Sequence, residues 1–140
     1  MLHRASRRSS SSSGRIGFRL LFEAWRELVL ADLVLAIGNF AALRRLVLRA
    51  KLRVRAHDPF VTERVRRAVD TACVWYYKPV LCLGRSAVLV RMLRRRGLNA
   101  RLIVGTTQVP FRAHAWVQIE ERIVGDPGDV AVRFLVLDEC

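Results

Sequence analysis

The chain has 140 residues, of which 52% are apolar, and its 25 lysines and arginines outnumber 12 aspartates and glutamates to give a net charge of +13. This length suits one domain, or one domain with an appendage, and the apolar content excludes a globally disordered chain. The charge favours an acidic partner such as nucleic acid, anionic lipid or an acidic peptide, and three cysteines, an odd number, argue against a disulfide framework.

Residues 1–16 are basic and rich in serine, and we predict that they form a disordered tail. The segment lacks the apolar run of a secretory signal. Together with the odd number of cysteines, this predicts a cytoplasmic protein whose thiols stay reduced.

Residues 17–55 are predicted to form an N-terminal helical region. Asp32 interrupts its most apolar stretch, so an amphipathic helix is expected there and a membrane span is not. Gly38 and Asn39 are predicted to divide the region into two helices. Apolar residues at spacings of three and four predict the face that packs on the rest of the protein: Phe18, Leu21, Phe22, Trp25, Leu28, Val29 and Leu33.

Residues 56–140 are predicted to form the main domain. Its first helix starts with Asp58 as the N-cap and Pro59 at the first helical position. A second helix is predicted over residues 82–96, with Gly97 as its C-terminal cap. The three arginines that end this helix suit the negative end of its dipole, so they do not by themselves indicate a binding partner.

The remainder of the chain has the pattern of a sheet. Short segments rich in β-branched residues, separated by turn-forming residues, predict four strands: ARLIVGT, AHAWVQIE, RIVGD and VRFLVL. Helices followed by consecutive strands indicate an α+β fold with a C-terminal antiparallel sheet.

Cys82, His114 and Asp126 lie where a thiol enzyme places its catalytic groups. Cys82 is predicted to begin a helix, where free N–H groups and the positive end of the dipole stabilise a thiolate. His114 and Trp116 alternate with the apolar residues of a predicted strand, so the histidine is not simply buried with them. The thiolate would act as the nucleophile, the imidazole would carry its proton, and the carboxylate would orient the imidazole.

The position of Asp126 depends on the hairpin that precedes it. A loop with an odd number of residues, centred on Glu120, would place His114 and Asp126 directly opposite each other. A two-residue turn at Glu120 and Glu121 would direct Asp126 to the other face of the sheet unless a bulge intervenes. The triad therefore requires an odd loop or a bulge, and Asp129 is the nearest substitute if Asp126 faces away.

An acyl-transfer site also needs donors for the oxyanion. The backbone N–H of Cys82 is the first predicted donor, and the indole N–H of Trp75 is the candidate for the second. The cysteines and histidines lack the spacing of a metal site, and no phosphate-binding loop is present. We therefore expect neither a metal nor a cofactor.

Each catalytic candidate also has a structural explanation. A lone cysteine is commonly an inert core residue, and an aspartate before a proline is commonly a turn residue. The joint arrangement of a cysteine at a helix start, followed by a histidine and an aspartate on successive strands, is what favours catalysis.

At these residues the chain resembles the lasso-peptide biosynthesis leader peptidases, which are transglutaminase-like cysteine proteases and include the microcin-processing proteins. The resemblance runs from about Asp58 to Asp138. Its motifs are Cys82-Leu83-x-Arg85-Ser86, Arg96-Gly97 and His114-Ala115-Trp116-Val117, the last of which is followed by Asp126. It implies a transglutaminase-like, papain-like core in which Cys82, His114 and Asp126 remove the leader segment of a ribosomally made precursor peptide through an acyl-enzyme.

The resemblance also implies partners. A separate ATP-dependent lasso cyclase would close the freed peptide into a macrolactam. Because the residues before Asp58 do not have the pattern of a small β-rich leader-recognition domain, the chain resembles a stand-alone peptidase that works with a separate leader-recognition protein. We hypothesise that the first helices dock that protein or the cyclase.

Two other functions remain open from the sequence. The same three residues would serve an acyl transferase that passes the acyl group to an amine in place of water. Alternatively, the chain is a non-catalytic scaffold whose arginines hold an acidic peptide, lipid or nucleic acid. No recognisable nucleic-acid motif supports the last of these partners.

Overall fold

The computed structural model describes residues 16–50 and 55–140, so the predicted disordered tail lies almost entirely outside the described residues. Within these ranges the chain forms helices and strands in the order α1 (Phe18–Ile37), α2 (Phe40–Leu48), α3 (Pro59–Val74), α4 (Cys82–Arg95), β1 (Ala100–Gln108), β2 (Phe111–Ile119), β3 (Arg122–Val124), α5 (Val130–Arg133) and β4 (Leu135–Glu139). The α+β class is confirmed, whereas the short helix α5 was not predicted. No helix in the described ranges combines the length and apolarity needed to cross a bilayer.

The predicted division of the N-terminal helical region is confirmed. Helix α1 ends before Gly38, and α2 begins after Asn39, whose side-chain oxygen accepts a hydrogen bond from the backbone N–H of Ala42 at 3.1 Å. This is the usual way in which an N-cap residue satisfies one of the free N–H groups of a helix start.

The predicted inward face of α1 is largely wrong. Phe18 is 81% exposed, and Phe22, Trp25, Val29 and Leu33 are exposed as well. The buried residues of the helix are Ala24, Glu27, Leu28 and Ala31. Small alanines let α1 pack closely on the rest of the core, and most of the larger apolar side chains of the predicted face stay exposed.

A buried ionic cluster explains why this face of α1 is turned inward. The side chain of Glu27 is only 2% exposed and accepts hydrogen bonds from Arg91 Nε at 2.8 Å and Arg95 Nη1 at 2.5 Å. Burial acts to raise the pKa of Glu27, but the hydrogen bonds and charges of the two arginines outweigh it and hold the pKa below its ordinary value.

The arginines near the end of α4 therefore have structural roles that the sequence did not predict. Arg91 and Arg94 are buried, and their guanidinium groups donate to backbone carbonyls of the chain around α2. Arg96 donates to Glu23 of α1 at 2.6 Å and to the carbonyl of Met92 at 2.9 Å. Only this last bond belongs to the predicted interaction with the C-terminal end of the helix.

The predicted caps of the main helices are confirmed. Asp58 accepts hydrogen bonds from the backbone N–H groups of Phe60 and Val61, at 2.9 and 3.3 Å. Gly97 ends α4 in the left-handed conformation, with φ of 84°, where glycine has no steric penalty.

Helices α1 to α4 contribute to one apolar core, and α4 lies at its centre, buried from Gly84 to Arg94 except for one position. Helices α1 and α2 therefore pack on the same core as the rest of the chain. The division into an N-terminal region and a main domain at residue 56 stays a prediction.

The four strands form an antiparallel sheet in the order β3-β2-β1-β4. One face of β2 carries Ala115, Val117 and Ile119, which belong to the core that includes α4. Its other face carries Trp116, which packs in a smaller cluster with Ile103 and neighbours from the α5 region. The sheet therefore lies against α4 on one side, with β2 in its interior.

Candidate active site

Cys82 is the first residue of α4, as predicted from the sequence. The preceding Leu81 is the N-cap and has no side chain that can accept a hydrogen bond. The first N–H groups of the helix are thus left without a side-chain cap. The Cys82 side chain is partly buried against the core and is not in a disulfide. The candidate nucleophile is thus a free thiol beside uncapped backbone N–H groups.

His114 lies on β2 opposite Gly105 of β1. Its ring is stacked on Trp116 with 6.2 Å between ring centroids and an interplanar angle of 19°, and it also contacts Phe134. A Cβ at position 105 would lie 2.9 Å from atoms of both Trp116 and Phe134. Gly105 therefore leaves room for the aromatic side chains that support the imidazole.

Asp126 lies against His114. The Asp126 Oδ1 atom is 3.2 Å from His114 Nε2, and the two side chains are 15% and 27% exposed. With Nε2 directed at the carboxylate, Nδ1 is the ring nitrogen left to exchange a proton with another group. This is the arrangement in which a carboxylate fixes the tautomer and orientation of a catalytic imidazole.

The contact between Asp126 and His114 depends on the hairpin between β2 and β3, as the sequence analysis required. Strands β2 and β3 pair with Ile119 opposite Arg122, so of the two alternatives considered from the sequence the hairpin adopts the two-residue turn at Glu120 and Glu121. However, β3 ends at Val124, and Gly125 adopts a positive φ of 79°. The chain leaves the strand there, as it would at a bulge, and Asp126 reaches His114.

Asp129, the predicted substitute, lies elsewhere. It precedes α5, its side chain is 59% exposed, and one of its carboxylate oxygens is 3.5 Å from Arg133 Nη1. An exposed pair of this type contributes little to stability. The structure therefore brings Asp126, and not Asp129, to the imidazole.

The structure forms no hydrogen bond between the Cys82 thiol and His114, so it joins two of the three predicted residues directly. The turn of α4 that follows Cys82 contacts Asp126 and the strand that carries His114. Arg85 Nη1 is 3.8 Å from Asp126 Oδ2, and the buried hydroxyl of Ser86 donates to the carbonyl of Ala115, next to His114, at 3.0 Å. Residues three and four positions after Cys82 thus contact Asp126 and the backbone next to His114.

Trp75, predicted as a second oxyanion donor, follows α3 and is 78% exposed. It shares a shallow apolar cavity with Phe22 and Trp25 of α1. Its role in the site stays a prediction. The described residues contain no group of three His, Cys, Asp or Glu side chains placed to hold a metal ion.

A cavity of about 590 Å³ opens beside the start of α4. The two charged groups at its edge pair with each other, since Lys78 Nζ is 2.5 Å from Asp32. The hydroxyl of the neighbouring Tyr77 also donates to Asp32, at 2.8 Å. These hydrogen bonds hold the pKa of Asp32 below its ordinary value. The cavity suits an apolar side chain, because its walls are mainly apolar and include Leu28, Ala31, Leu35, Val80, Leu81 and Leu83.

We expect the three cysteines to differ in their reaction with an alkylating agent. Burial raises the pKa of Cys73 to about 11 and also raises the pKa of Cys140. Because only the thiolate reacts, roughly one Cys73 in 10⁴ is reactive at neutral pH, and its rate should rise until the pH approaches about 11. Cys82 should therefore be labelled first at neutral pH.

Peptide mass spectrometry of samples labelled across a pH series checks this order. Cys73 and Cys140 serve as comparisons within the same samples, because burial raises the pKa of both thiols. Equal labelling rates at Cys82 and Cys73 near neutral pH would contradict the expectation.

Comparison with known proteins identifies the family of the chain. The Transglutaminase-like superfamily matches residues 27–138. The Microcin J25-processing protein McjB of Escherichia coli is 31% identical over 78 residues, which cover 54% of this chain and 38% of that protein, so the aligned part is well under half of that relative. No solved structure gives a significant match. The family match extends from α1 to β4 and includes Cys82, His114 and Asp126, and the chain belongs to the transglutaminase-like superfamily.

Proposed function

We propose that this chain is a cysteine peptidase that removes the leader segment from a ribosomally made lasso precursor peptide. The observation that carries the proposal is the pairing of His114 with Asp126 at 3.2 Å, beside the helix that begins with Cys82. The similarity to a microcin-processing protein supports a peptide substrate. Macrolactam closure by a separate cyclase would follow.

In the proposed mechanism, the Cys82 thiolate attacks the carbonyl carbon of the bond that joins leader and core peptide. The thiol proton passes to His114 Nδ1, and Asp126 stabilises the resulting imidazolium through Nε2. The uncapped N–H of Cys82 faces the developing oxyanion. The imidazolium then protonates the departing amine, which leaves the leader bound to Cys82 as a thioester.

Water completes the reaction. His114 takes a proton from the water as it attacks the thioester, and the carboxylate of the leader departs as the thiolate is restored. The thiol and imidazole must approach each other for the first step. Catalytic hydrogen bonds often shorten only when the substrate is bound, and the substrate is therefore the element that brings Cys82 to His114 in this proposal.

Transfer of the acyl group to an amine is the second candidate function. The family match favours it, because the transglutaminase-like superfamily includes acyl transfer on the same kind of site. It requires the same thioester and differs only in the group that attacks it. Product masses with and without an added primary amine distinguish the two, because aminolysis gives an amide in place of the free leader carboxylate.

The scaffold alternative receives less support from the charges. Arg91 and Arg94 are buried, and Arg95 and Arg96 pair with acidic residues of α1, so these arginines are used within the fold. Docking of a leader-recognition protein or cyclase is supported by the exposed apolar residues of α1, since large exposed apolar areas commonly mark protein interfaces. The exposed apolar residues of α1 include Phe18, Phe22 and Trp25.

The assignment of the third catalytic residue can be tested with a matched pair of variants. Asp126→Asn should reduce cleavage of the precursor by a factor on the order of 10² or more, because an amide no longer stabilises the imidazolium. Asp129→Asn, only three residues away, should cleave at the wild-type rate. The assay combines the chain, precursor and leader-recognition protein, and follows the released leader by mass spectrometry.

Loss of cleavage in Asp129→Asn, with normal activity in Asp126→Asn, would reverse the assignment. A wild-type chain that leaves the precursor intact with the recognition protein present would contradict the proposed function itself.

A further inference from the structure

Arg85 lies at the centre of a charged chain that ends at the candidate triad. Its Nε donates to Asp70 Oδ1 of α3 at 2.7 Å, and its Nη1 is 3.8 Å from Asp126 Oδ2. The Asp126 Oδ2 atom is buried and accepts no hydrogen bond from the described residues. The guanidinium of Arg85 is thus the positive charge that faces the buried side of this carboxylate.

The other end of the chain is fixed on α3. Arg66 Nη1 donates to Asp70 Oδ2 at 2.6 Å, and the same guanidinium donates to both oxygens of Glu63, at 2.8 and 2.9 Å. Hydrogen bonds from Arg66 and Arg67 lower the pKa of Glu63 to about 2, so it remains charged at neutral pH. Asp70 is therefore held by one arginine on each oxygen, and Arg85 is held by Asp70.

Gly125 completes the arrangement. A Cβ at this position would lie 2.8 Å from Arg85 Nη2, so the absence of a side chain lets the guanidinium lie against the backbone next to Asp126. The same residue has the positive φ that turns the chain out of β3. Arg85 and the turn that carries Asp126 therefore fit each other closely.

We propose that Arg85 is a positioning residue that holds Asp126 against His114, with Asp70 and Arg66 fixing the guanidinium from α3. In this role Arg85 acts through the carboxylate, because its contacts are with Asp70 and Asp126. The inference rests on the proposed function insofar as Asp126 serves a catalytic imidazole.

The physical reason is the burial of the carboxylate. An ionised oxygen removed from water needs a compensating charge or hydrogen bonds. Without the guanidinium, Asp126 Oδ2 would be left buried and uncompensated, and the side chain would turn toward water. His114 would then lose the acceptor that orients its ring.

The test uses Arg85→Gln, with Arg67→Gln as the matched control. Arg67 belongs to the same cluster and pairs with Glu63 at 2.8 Å, but it is more exposed and does not contact Asp70 or Asp126. Asp70→Asn is the second variant, because it keeps the Arg85 cation and removes its anchor. Thermal unfolding of each variant identifies any that fail to fold.

The first readout needs no substrate. A ring N–H of histidine that is bonded to a carboxylate gives a downfield proton resonance, which is assigned to His114 by its loss in His114→Ala. We expect this resonance in the wild type and in Arg67→Gln, its loss in Arg85→Gln, and its broadening in Asp70→Asn. Retention in Arg85→Gln, or absence from the wild type, would overturn the inference.

The second readout is kinetic. Arg85→Gln should lower kcat for precursor cleavage about tenfold and leave KM unchanged, as expected for a residue that orients the Asp126 carboxylate and does not bind the precursor. In the Asp126→Asn background the same change should have no further effect, because residues that act through one contact are not additive. A full additional loss in the double variant would show that Arg85 acts independently of Asp126 and would reject the inference.

The two proposals can fail separately. If the His114 resonance responds to Arg85 as expected while the wild-type chain does not cleave the precursor, the positioning role stands and the peptidase function is wrong. If cleavage occurs but Arg85→Gln changes neither the resonance nor kcat, the peptidase function stands and the positioning role of Arg85 is wrong.

Discussion

Replacement of Cys82 by alanine is expected to abolish precursor cleavage while the fold and precursor binding are retained. The side chain is only partly buried at the first position of α4, and alanine is fully compatible with a helix start. Removal of the nucleophile leaves no atom to form the thioester, so the rate should fall by more than about 10³-fold. The measurement is the initial rate of leader release, with binding followed separately by titration of the labelled precursor.

Cys73→Ala is the matched control. Cys73 is a partly buried thiol on α3, and burial raises its pKa to about 11, so it is a poor nucleophile at neutral pH. This variant should cleave normally. Acid quenching of the wild-type reaction should trap the chain with one added leader mass, less one water, on the peptide that contains Cys82. Normal cleavage by Cys82→Ala, or an adduct on another residue, would remove Cys82 from the mechanism.

The parts of the fold that were predicted from the sequence are those fixed by local interactions. The N-cap at Asp58, the break at Gly38 and Asn39, and the glycine that ends α4 each depend on a few neighbouring backbone groups. The strands are likewise marked by β-branched residues between turns. Such features need no knowledge of which elements meet in three dimensions, and the α+β class followed from them.

The orientation of α1 was not predicted because it depends on distant residues. A helix that carries Phe18, Phe22 and Trp25 along one face suggests by periodicity that this face is buried. The structure instead buries Glu27, whose partners Arg91 and Arg95 lie more than sixty residues later in the chain. A carboxylate can be turned inward only where such partners are available, and the sequence alone does not pair them.

In the candidate site, too, some positions were predicted from local patterns and one was not. Helix and strand patterns predicted the positions of Cys82 and His114, whereas the placement of Asp126 depended on one backbone conformation at Gly125. The glycine immediately before the aspartate was a signal that could have resolved the register, because only glycine adopts that conformation freely. The role of Arg85 had a weaker signal, its place in the motif that begins at Cys82.

The second large effect is expected at Glu27, far from the candidate triad. Glu27→Gln keeps the shape of the side chain and removes its charge, which leaves Arg91, itself 6% exposed, without its carboxylate partner. Breaking a buried ion pair by removing one member costs about 3–5 kcal/mol, because the other charge stays buried. The free energy of unfolding, measured with denaturant at neutral pH, should fall by about that amount.

Glu23→Gln is the control, since it lies one helical turn earlier and its bond to Arg96 is partly exposed. Pairs of this kind contribute at most about 1 kcal/mol, so similar losses in both variants would contradict a special role for the buried cluster.

The pH dependence of stability gives an independent check on Glu27. Its pKa is lowered in the folded chain, so its contribution is present above the unfolded pKa of about 4.5 and is lost as the pH falls through the lower, folded value. The difference in unfolding free energy between the wild type and Glu27→Gln should therefore be constant near neutral pH and shrink only in acid. A difference that shrinks between about pH 8 and pH 6 would assign the effect to another titrating group.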